Sequence, residues 1–276
     1  MSFDKITIVI TSFRSEKKII KCLESIKDQC KVIIIENSKN HLLKIELENK
    51  FKNVKCIIPN SNLGYAKGNN LGLSKVKTEF ALILNPDAEL TTDSLKNFFI
   101  TANALKDFAI IGPGNQYHNK ENNLNKLINV DSVKGFAMFI KIAEFKTLGF
   151  FDENFFIYLE ETDLCKRVIE NGKKIYLDNS IEIMHQGGSS HDKEHNFEME
   201  LSRNWHWMWS LYYFNKKHYG TLKALIHISD KFITALLKYL FYLFILKKKK
   251  KLLYKQRLLG LWNSIIGQTS FYRPFE

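Results

Sequence analysis

The fold is decided by residues 6–36, which read ITIVITSFRSEKKIIKCLESIKDQCKVIIIE. Ile6 to Thr11 and Lys31 to Glu36 are rich in β-branched residues and lack polar alternation, a pattern typical of strands buried on both faces of a parallel sheet. Between them, Glu16 to Lys27 repeats apolar residues at helical spacing, which predicts an amphipathic helix. The stretch therefore predicts a βαβ unit.

The alternation of helix and strand patterns continues along the chain. We expect helices near residues 42–51, 66–75, 92–106 and 162–170, and strands at 54–58, 80–84, 109–111, 133–140, 174–177 and 181–184. The asparagine-rich stretch from Gly114 to Asn129 reads as a surface loop. These elements predict an α/β fold with a mostly parallel central sheet flanked by helices.

Composition excludes a disordered chain, since 45% of the 276 residues are hydrophobic and 25% are charged. The formal charge of +12 favours a negatively charged partner, such as nucleic acid, anionic lipid or a phosphorylated small molecule, although scattered lysine could also be a compositional bias. Cys22, Cys30, Cys56 and Cys165 form no CxxC pair, which favours a reducing compartment. No signal-peptide pattern is evident, so we expect a cytoplasmic catalytic part.

Two acidic motifs are candidates for chemistry. Asn85-Pro86-Asp87 follows a predicted strand, where a carboxylate could bind a hard divalent ion together with phosphate oxygens; the tripeptide also suits a type I turn. The second motif, Phe150 to Asp163, sets carboxylates beside large apolar residues, and burial can raise the pKa of a carboxyl group and make it a useful base. The start of the predicted helix holds Glu160 and Glu161, of which capping could explain one.

Two further positions are read together with these motifs. Asp163 and Arg167 are four residues apart on the predicted helix, which favours an ion pair that orients it. His185 follows a strand-like run and precedes Gln186-Gly187-Gly188-Ser189, a flexible turn that permits close approach of a ligand. The histidine could therefore bind metal or phosphate, or be an ordinary polar residue.

The C-terminal region is apolar and then basic. Phe232 to Leu246 contains few polar residues and falls short of the roughly 20 needed to span a bilayer. Since Lys247 to Lys251 follow at once, the segment could be a helix in an anionic membrane surface, or a helix packed on the enzyme's own core or a partner subunit. Nearby, Trp205, Trp207 and Trp209 could line an acceptor groove or form a core.

The motifs, in their order along the chain, resemble those of family 2 glycosyltransferases, with the rhamnosyltransferase-like branch as the closest group. The resemblance covers about Ile6 to Tyr219. It is carried by Thr11-Ser12, Glu36-Asn37-Ser38, Asn62-Leu63-Gly64-Tyr65-Ala66-Lys67-Gly68-Asn69-Asn70, Asn85-Pro86-Asp87, Gly149-Phe150-Phe151-Asp152-Glu153, Glu160-Glu161-Thr162-Asp163-Leu164 and His185-Gln186-Gly187-Gly188-Ser189.

The resemblance implies a GT-A fold and an inverting transfer of sugar from a nucleoside-diphosphate donor, with rhamnose as one alternative, to a glycan or lipid-linked acceptor in cell-surface polysaccharide synthesis. It implies a donor-binding half at 1–106 and an acceptor-binding and catalytic half at 107–220. Beyond the resemblance, the apolar and basic pattern predicts amphipathic, basic C-terminal helices at 221–276 that could attach to a membrane surface. The site of action would be the cytoplasm or the inner face of the cell membrane. Oligomeric state stays open. The alternatives are an inactive nucleotide-sugar-binding scaffold and a basic nucleic-acid-binding protein, which the acidic cluster opposes.

The resemblance also implies roles for single residues. Glu161 would be the base that takes the acceptor proton, with Glu160 as its alternate. Asp87 and His185 would bind a divalent metal, Mg2+ or Mn2+. The donor would be bound by Thr11, Ser12, Glu36, Asn62, Gly64, Lys67, Asn70, Asn85 and Asp87. Asn85 stands where the strict motif has an acid, so weaker metal binding is expected, and Glu36 stands where aspartate is usual.

Overall fold

The computed structural model describes residues 3–116, 126–185 and 196–273. The chain divides into two units. The first comprises Met1–Phe151 and Glu161–Asp192, and the second comprises Asp152–Glu160 and Lys193–Glu276. The second acidic motif is thus split between them, with Glu161 in the first unit and Glu160 in the second.

The first unit is built on an eight-stranded sheet. Its strands are β1 (Ile6–Ser12), β2 (Lys31–Glu36), β3 (Val54–Ile57), β4 (Phe80–Leu84), β6 (Ile110–Pro113), β7 (Leu127–Asn129), β8 (Ala137–Lys141) and β9 (Ile175–Asp178), and the order is β3-β2-β1-β4-β8-β6-β9-β7. Strands β3, β2, β1 and β4 are parallel, as are β6 and β9. Strand β8 runs antiparallel to both β4 and β6.

The described part of this unit also contains a two-stranded sheet and helices. The small sheet pairs β5 (Ala88–Leu90) antiparallel with β10 (Ile183–His185). The helices are α1 (Glu16–Ile26), α2 (His41–Lys50), α3 (Gly64–Leu73), α4 (Ser94–Ala104), α5 (Phe145–Leu148) and α6 (Glu160–Glu170), of which α6 has its first residue, Glu160, in the second unit. The βαβ unit predicted from residues 6–36 is confirmed, with β1 buried along its whole length.

Several predicted elements need correction. Gly114 to Asn129 is not wholly a loop, because Gly114–Gln116 forms a 3-10 turn and Leu127–Asn129 pairs with β9; residues 117–125 lie outside the described ranges. The strand predicted at 133–140 begins only at Ala137, since Gly135 and Phe136 form a turn. The helix expected at 162–170 begins earlier, at Glu160.

The predicted halves 1–106 and 107–220 share the eight-stranded sheet, since β1 to β4 come from the first and β6 to β9 from the second. Helix α8 begins at Thr221, where the C-terminal segment was predicted to begin. The assignment of donor, acceptor and attachment roles to these segments stays a prediction.

Two glycines let α3 approach the sheet closely. A methyl group on Gly72 would lie 2.4 Å from Cγ1 of Val9 in β1, and one on Gly68 would lie 2.7 Å from Cγ2 of Thr11. Both distances are shorter than side chains tolerate. Helix α3 therefore depends on glycine to lie against the end of β1.

The second unit is helical, with α7 (Asn196–Tyr219), α8 (Thr221–Phe244) and α9 (Lys248–Ile265). Trp205 and Trp209 are buried, and a methyl group on Gly260 of α9 would lie 2.1 Å from the carbonyl oxygen of Trp205, so α7 and α9 are in close contact. For these two tryptophans the structure supports the core alternative. Trp207 is partly exposed and meets Tyr158 edge to face at 5.6 Å.

A histidine is buried in the middle of this unit. One ring nitrogen of His206 lies 2.9 Å from the Ser270 hydroxyl and the other 2.7 Å from the carbonyl oxygen of Tyr272. Burial lowers the pKa of His206 to about 3. Its imidazole is therefore neutral near pH 7 and links α7 to the segment after α9.

Helix α8 exposes most of its apolar surface. Only Ala224, Ile228 and Ala235 of this helix are buried, while its carboxyl end is highly exposed, with Phe244 at 87% and Leu246 beyond it at 81%. The lysine run is not part of α8. Lys247 is the N-cap residue of α9, and Lys248–Lys251 form the first turn of α9. Within the described ranges, no helix is both long and apolar enough to cross a membrane.

Candidate active site

The carboxyl ends of the parallel strands place polar residues at one edge of the sheet. Strands β1 and β2 are in register, with Ser12 opposite Glu36, and β4 continues directly into Asn85-Pro86-Asp87. Ligands of open α/β sheets bind beyond this edge. The ends of β1, β2 and β4 thus bring three of the predicted motifs to one side of the first unit.

Asp87 and His185 come together through the small sheet. Ala88 in β5 is paired with His185 in β10, so the side chain of the preceding Asp87 reaches the imidazole, and its Oδ1 lies 3.4 Å from His185 Nε2. Asp87 is buried. The predicted proximity of this acid and this histidine is present, although Gln186-Gly187-Gly188-Ser189 lie outside the described residues.

Two oxygens at this place lack hydrogen-bond partners. Oδ1 of Asn85 and Oδ1 of Asp87 are buried, and no group in the described part of the chain donates a hydrogen bond to either of them. A buried oxygen without a donor is costly unless a ligand satisfies it. Carboxylate oxygen and imidazole nitrogen are both ligands of Mn2+-type ions, so the donor set fits the expected divalent metal.

The described side chains do not form a closed metal cage. Over residues 3–116, 126–185 and 196–273, no group of three or more His, Cys, Asp or Glu side chains could hold a metal ion. Asp87 and His185 would therefore leave most coordination positions to substrate oxygens and water, as is usual where a hard ion binds phosphates.

Some side chains at the ends of β1 and β2 already make hydrogen bonds within the protein. Thr11 donates a hydrogen bond to the amide oxygen of Asn69 at 3.0 Å, and the Glu36 carboxylate accepts from the backbone N–H groups of Ser38 at 3.0 Å and Asn40 at 2.7 Å. The buried hydroxyl of Ser12 has no hydrogen-bond partner among the described residues. Donor binding by Thr11, Ser12 and Glu36 stays a prediction.

The motif from Asn62 to Asn70 is held by internal contacts. Asn62 accepts from the N–H of Gly64 at 3.0 Å, and Asn37 at the end of β2 donates to the Gly64 carbonyl at 3.1 Å. The Asn70 amide donates to the carbonyl of Phe151 at 2.8 Å and accepts from its N–H at 3.0 Å. Lys67 is exposed on α3. Donor binding by Asn62, Gly64, Lys67 and Asn70 stays a prediction.

Glu161 lies in the first turn of α6 and is partly exposed. Burial raises the pKa of its carboxyl group, while the backbone N–H groups of Glu161 and Thr162 act in the opposite direction. A glutamate with a raised pKa that still reaches solvent is suited to accept a proton near neutral pH. Glu160, its predicted alternate, is buried in the second unit.

Arg167 of α6 binds the backbone of residues 148–150, which precede the helix. Its Nε lies 2.9 Å from Oδ2 of the fully buried Asp163, so the predicted ion pair is present. The same guanidinium donates to the carbonyl of Leu148 at 2.9 Å and to that of Phe150. Asp163 is therefore a structural residue that fixes the helix carrying Glu161.

Sequence reasoning missed the Gly135-Phe136 turn. The Phe136 ring stacks on His185 with centroids 4.3 Å apart, and its carbonyl accepts from the N–H of Asn85 at 2.9 Å. The glycine could have indicated a turn here, but the apolar pattern of residues 133–140 predicts a strand across both positions.

Comparison with known proteins gives a family and a fold. The sequence pattern of the family described as Glycosyl transferase family 2 matches residues 7–167. The chain is 26% identical over 194 residues to the low-salt glycan biosynthesis hexosyltransferase Agl10 of Haloferax volcanii, covering 59% of this chain and 61% of that relative. It is 23% identical over 265 residues to the rhamnosyltransferase WbbL of Escherichia coli, covering 82% of this chain and 98% of the relative.

A solved structure shares the fold. The mannosyltransferase PcManGT of Pyrobaculum calidifontis, in complex with GDP-Man and Mn2+, matches 95% of this chain and 87% of its own length, with a TM-score of 0.60 and 12% identity. At that identity the likeness bears on the fold alone. The predicted GT-A fold is confirmed.

Proposed function

The chain belongs to glycosyl transferase family 2, and from that premise we propose that it is an inverting glycosyltransferase that moves a sugar from a nucleoside-diphosphate donor to a glycan or lipid-linked acceptor in cell-surface polysaccharide synthesis. The observation that carries the proposal is the approach of Asp87 Oδ1 to His185 Nε2, 3.4 Å apart, at the carboxyl edge of the sheet. The names of a hexosyltransferase and a rhamnosyltransferase relative support it. Rhamnose is one candidate sugar.

Glu161 is the proposed base. An acceptor hydroxyl is a weak nucleophile until its proton is removed as the new bond forms. The carboxylate of Glu161 takes that proton while the hydroxyl oxygen attacks the anomeric carbon. Because burial raises the pKa of this carboxyl group, it holds the proton more firmly than an exposed glutamate would.

Asp87 and His185 are the proposed metal ligands on the leaving-group side. When bound, a divalent ion supplies Lewis-acid stabilisation of the negative charge on the departing diphosphate. Asp87 and His185 would hold it, and the buried Asn85 oxygen, which has no hydrogen-bond donor among the described residues, would be a further polar contact. We assign Ser12, at the neighbouring end of β1, a hydrogen bond to the sugar donor, because its buried hydroxyl has no hydrogen-bond partner among the described residues.

A donor screen tests the proposal. Full-length protein is heated with dTDP-rhamnose, UDP-hexoses and GDP-mannose, each with Mn2+ or with EDTA. We expect a rise in Tm for one donor that requires Mn2+, since a ligand that binds only the folded state stabilises it by about 2.7 kcal/mol at 100 times its Kd. Slow hydrolysis of that donor would separate an enzyme from an inactive scaffold. No stabilisation by any nucleotide sugar would refute the proposal.

We further propose that α8 and the start of α9 attach the protein to an anionic membrane surface. The exposed apolar side chains of α8 leave a hydrophobic face uncovered by this chain. Lys247 to Lys250 follow it and are exposed, and they lie at the amino end of α9, where the helix dipole disfavours cations. Anionic lipid headgroups would offset that cost while the apolar face enters the acyl boundary.

Vesicle flotation tests this attachment. The full chain should float with vesicles containing phosphatidylglycerol and much less with phosphatidylcholine alone. Replacing Lys247 to Lys250 by glutamine should weaken binding by about 100-fold or more, because each lysine near such a surface contributes about 1 kcal/mol. The matched control replaces four exposed lysines of the first unit, Lys52, Lys55, Lys75 and Lys77, by glutamine, which is the same charge change away from α8 and α9. Equal loss in both variants, or a stable dimer that hides α8 from vesicles, would contradict the proposal.

A further inference from the structure

Tyr65, Gly135 and Glu161, from separate parts of the first unit, lie close together, with Gly135 between the other two. Tyr65, in the first turn of α3, donates a hydrogen bond from its hydroxyl to the carbonyl oxygen of Gly135. A methyl group on Gly135 would lie 3.5 Å from Cβ of Glu161 and 3.5 Å from the Tyr65 hydroxyl oxygen. The aliphatic part of Glu161 thus borders a glycine that the tyrosine hydroxyl holds.

Tyr65 is itself fixed from two directions. Its ring meets Phe151 edge to face, with centroids 6.0 Å apart. The backbone of Phe151 is bound at both its N–H and its carbonyl by the amide of Asn70, farther along α3. Helix α3 therefore carries both Tyr65 and Asn70, the residue that holds the backbone of Phe151 against the Tyr65 ring.

Gly135 also stands next to the other half of the candidate site. The following residue, Phe136, accepts a hydrogen bond from Asn85 and stacks on His185. The turn at Gly135 and Phe136 therefore lies beside Glu161 through its glycine, and it contacts Asn85 and His185 through its phenylalanine. Any displacement of Gly135 changes the position of Glu161 relative to the proposed metal ligands.

We propose that Tyr65 is a positioning residue for Glu161, and that it acts through the Gly135 carbonyl. The inference rests on the proposed role of Glu161 as base. A base must lie within hydrogen-bond reach of the proton it takes, and an error of about 1 Å can cost about 100-fold in rate. Without the tyrosine hydroxyl the Gly135 carbonyl loses a hydrogen-bond donor, the turn relaxes, and more water reaches the Glu161 side chain.

The test follows the Glu161 carboxyl group directly. Full-length protein labelled with 13C at glutamate carboxyl groups is titrated by NMR, and the Glu161 resonance is assigned by its loss in Glu161→Gln. The variants are Tyr65→Phe, which removes only the hydroxyl, and Gly135→Ala, whose methyl fits in ordinary contact. Tyr213→Phe, which removes a tyrosine hydroxyl bonded to Asp152 in the second unit, is the matched control.

The two variants should move the pKa of Glu161 in opposite directions. Tyr65→Phe should lower it towards the usual range as water enters, and Gly135→Ala should raise it further because the methyl covers the side chain. Burial raises the pKa of the adjacent Cys165 thiol to about 12, so this thiol stays neutral during the titration. Tyr213→Phe should leave the Glu161 resonance unchanged.

Kinetics supply a second readout with the donor that the screen identifies. Tyr65→Phe should lower kcat about tenfold, the factor that one hydrogen bond is worth, with the donor KM unchanged. An unchanged Glu161 titration in both variants, or shifts in the same direction, would overturn the inference. The titration needs no substrate, so failure of the proposed function is detected separately, in the donor screen.

Discussion

Replacing Glu161 by glutamine is expected to lower the rate of sugar transfer by about 100- to 10,000-fold, the range that a general base contributes, while donor binding stays nearly intact. Glutamine has the shape of glutamate but cannot accept the acceptor's proton. Release of nucleoside diphosphate measures the rate, and Mn2+-dependent thermal stabilisation by the donor measures binding. The wild-type rate should fall on acidification below the raised pKa of Glu161, where the carboxyl group is protonated.

Glu160→Gln is the matched control, since it makes the same change one residue earlier. Glu160 is buried in the second unit, and we expect its loss to reduce turnover far less than that of Glu161. Near-normal turnover in Glu161→Gln would remove Glu161 from the mechanism. If Glu160→Gln instead gave the large loss, the base would be Glu160.

Replacing Asp87 by asparagine is expected to weaken Mn2+-dependent binding of nucleoside diphosphate by about 100-fold or more. Loss of a residue that merely supports a metal ligand costs about 10- to 100-fold, and a direct ligand should cost no less. The change keeps the side chain's shape but removes its charge beside His185. Calorimetric titration of UDP and GDP, with Mn2+ and with EDTA, measures the effect.

Asp93→Asn is the control for this experiment, because it removes the same charge from an exposed aspartate paired with Lys96. It should leave nucleotide binding unchanged. If Asp87→Asn bound nucleotide with its Mn2+ dependence intact, Asp87 would not be a metal ligand, and the orphaned oxygens at the end of β4 would need another occupant.

The parallel part of the fold could be predicted because its strands are encoded locally. The bounds expected for β2 and β4 agree with the structure, since both are short apolar runs with sharp polar ends. Strand β7 could not be predicted, because Leu127–Asn129 ends an asparagine-rich stretch and becomes a strand only through its pairing with β9. The lysines follow a helix, as expected, but the second helix that they begin was not predicted: the chain turns at Leu246 in a left-handed conformation and continues into α9.

Only those parts of the candidate site could be predicted in which a single residue type, such as an acid beside apolar residues, indicates the chemistry. Asp87 and Glu161 stand out as acids beside apolar runs. The approach of His185 to Asp87 depends on the pairing of β10 with β5, and nothing in the local sequence specifies that pairing. No local sequence pattern marks Tyr65 or Gly135, so the approach of Gly135 to both Glu161 and the Tyr65 hydroxyl appears only when α3, α6 and the turn before β8 are assembled.

Strand β8 has a consequence for how specificity can change in this fold. Because β8 is antiparallel to β4 and β6, its first residue, Ala137, pairs with Leu84, the last residue of β4. The segment that precedes β8, residues 130–136, therefore leads to the candidate site from outside the parallel strands. A side-chain change at Gly135 or Phe136 therefore acts on the surroundings of Glu161 and His185 together, without altering a paired residue of β4, β6 or β8.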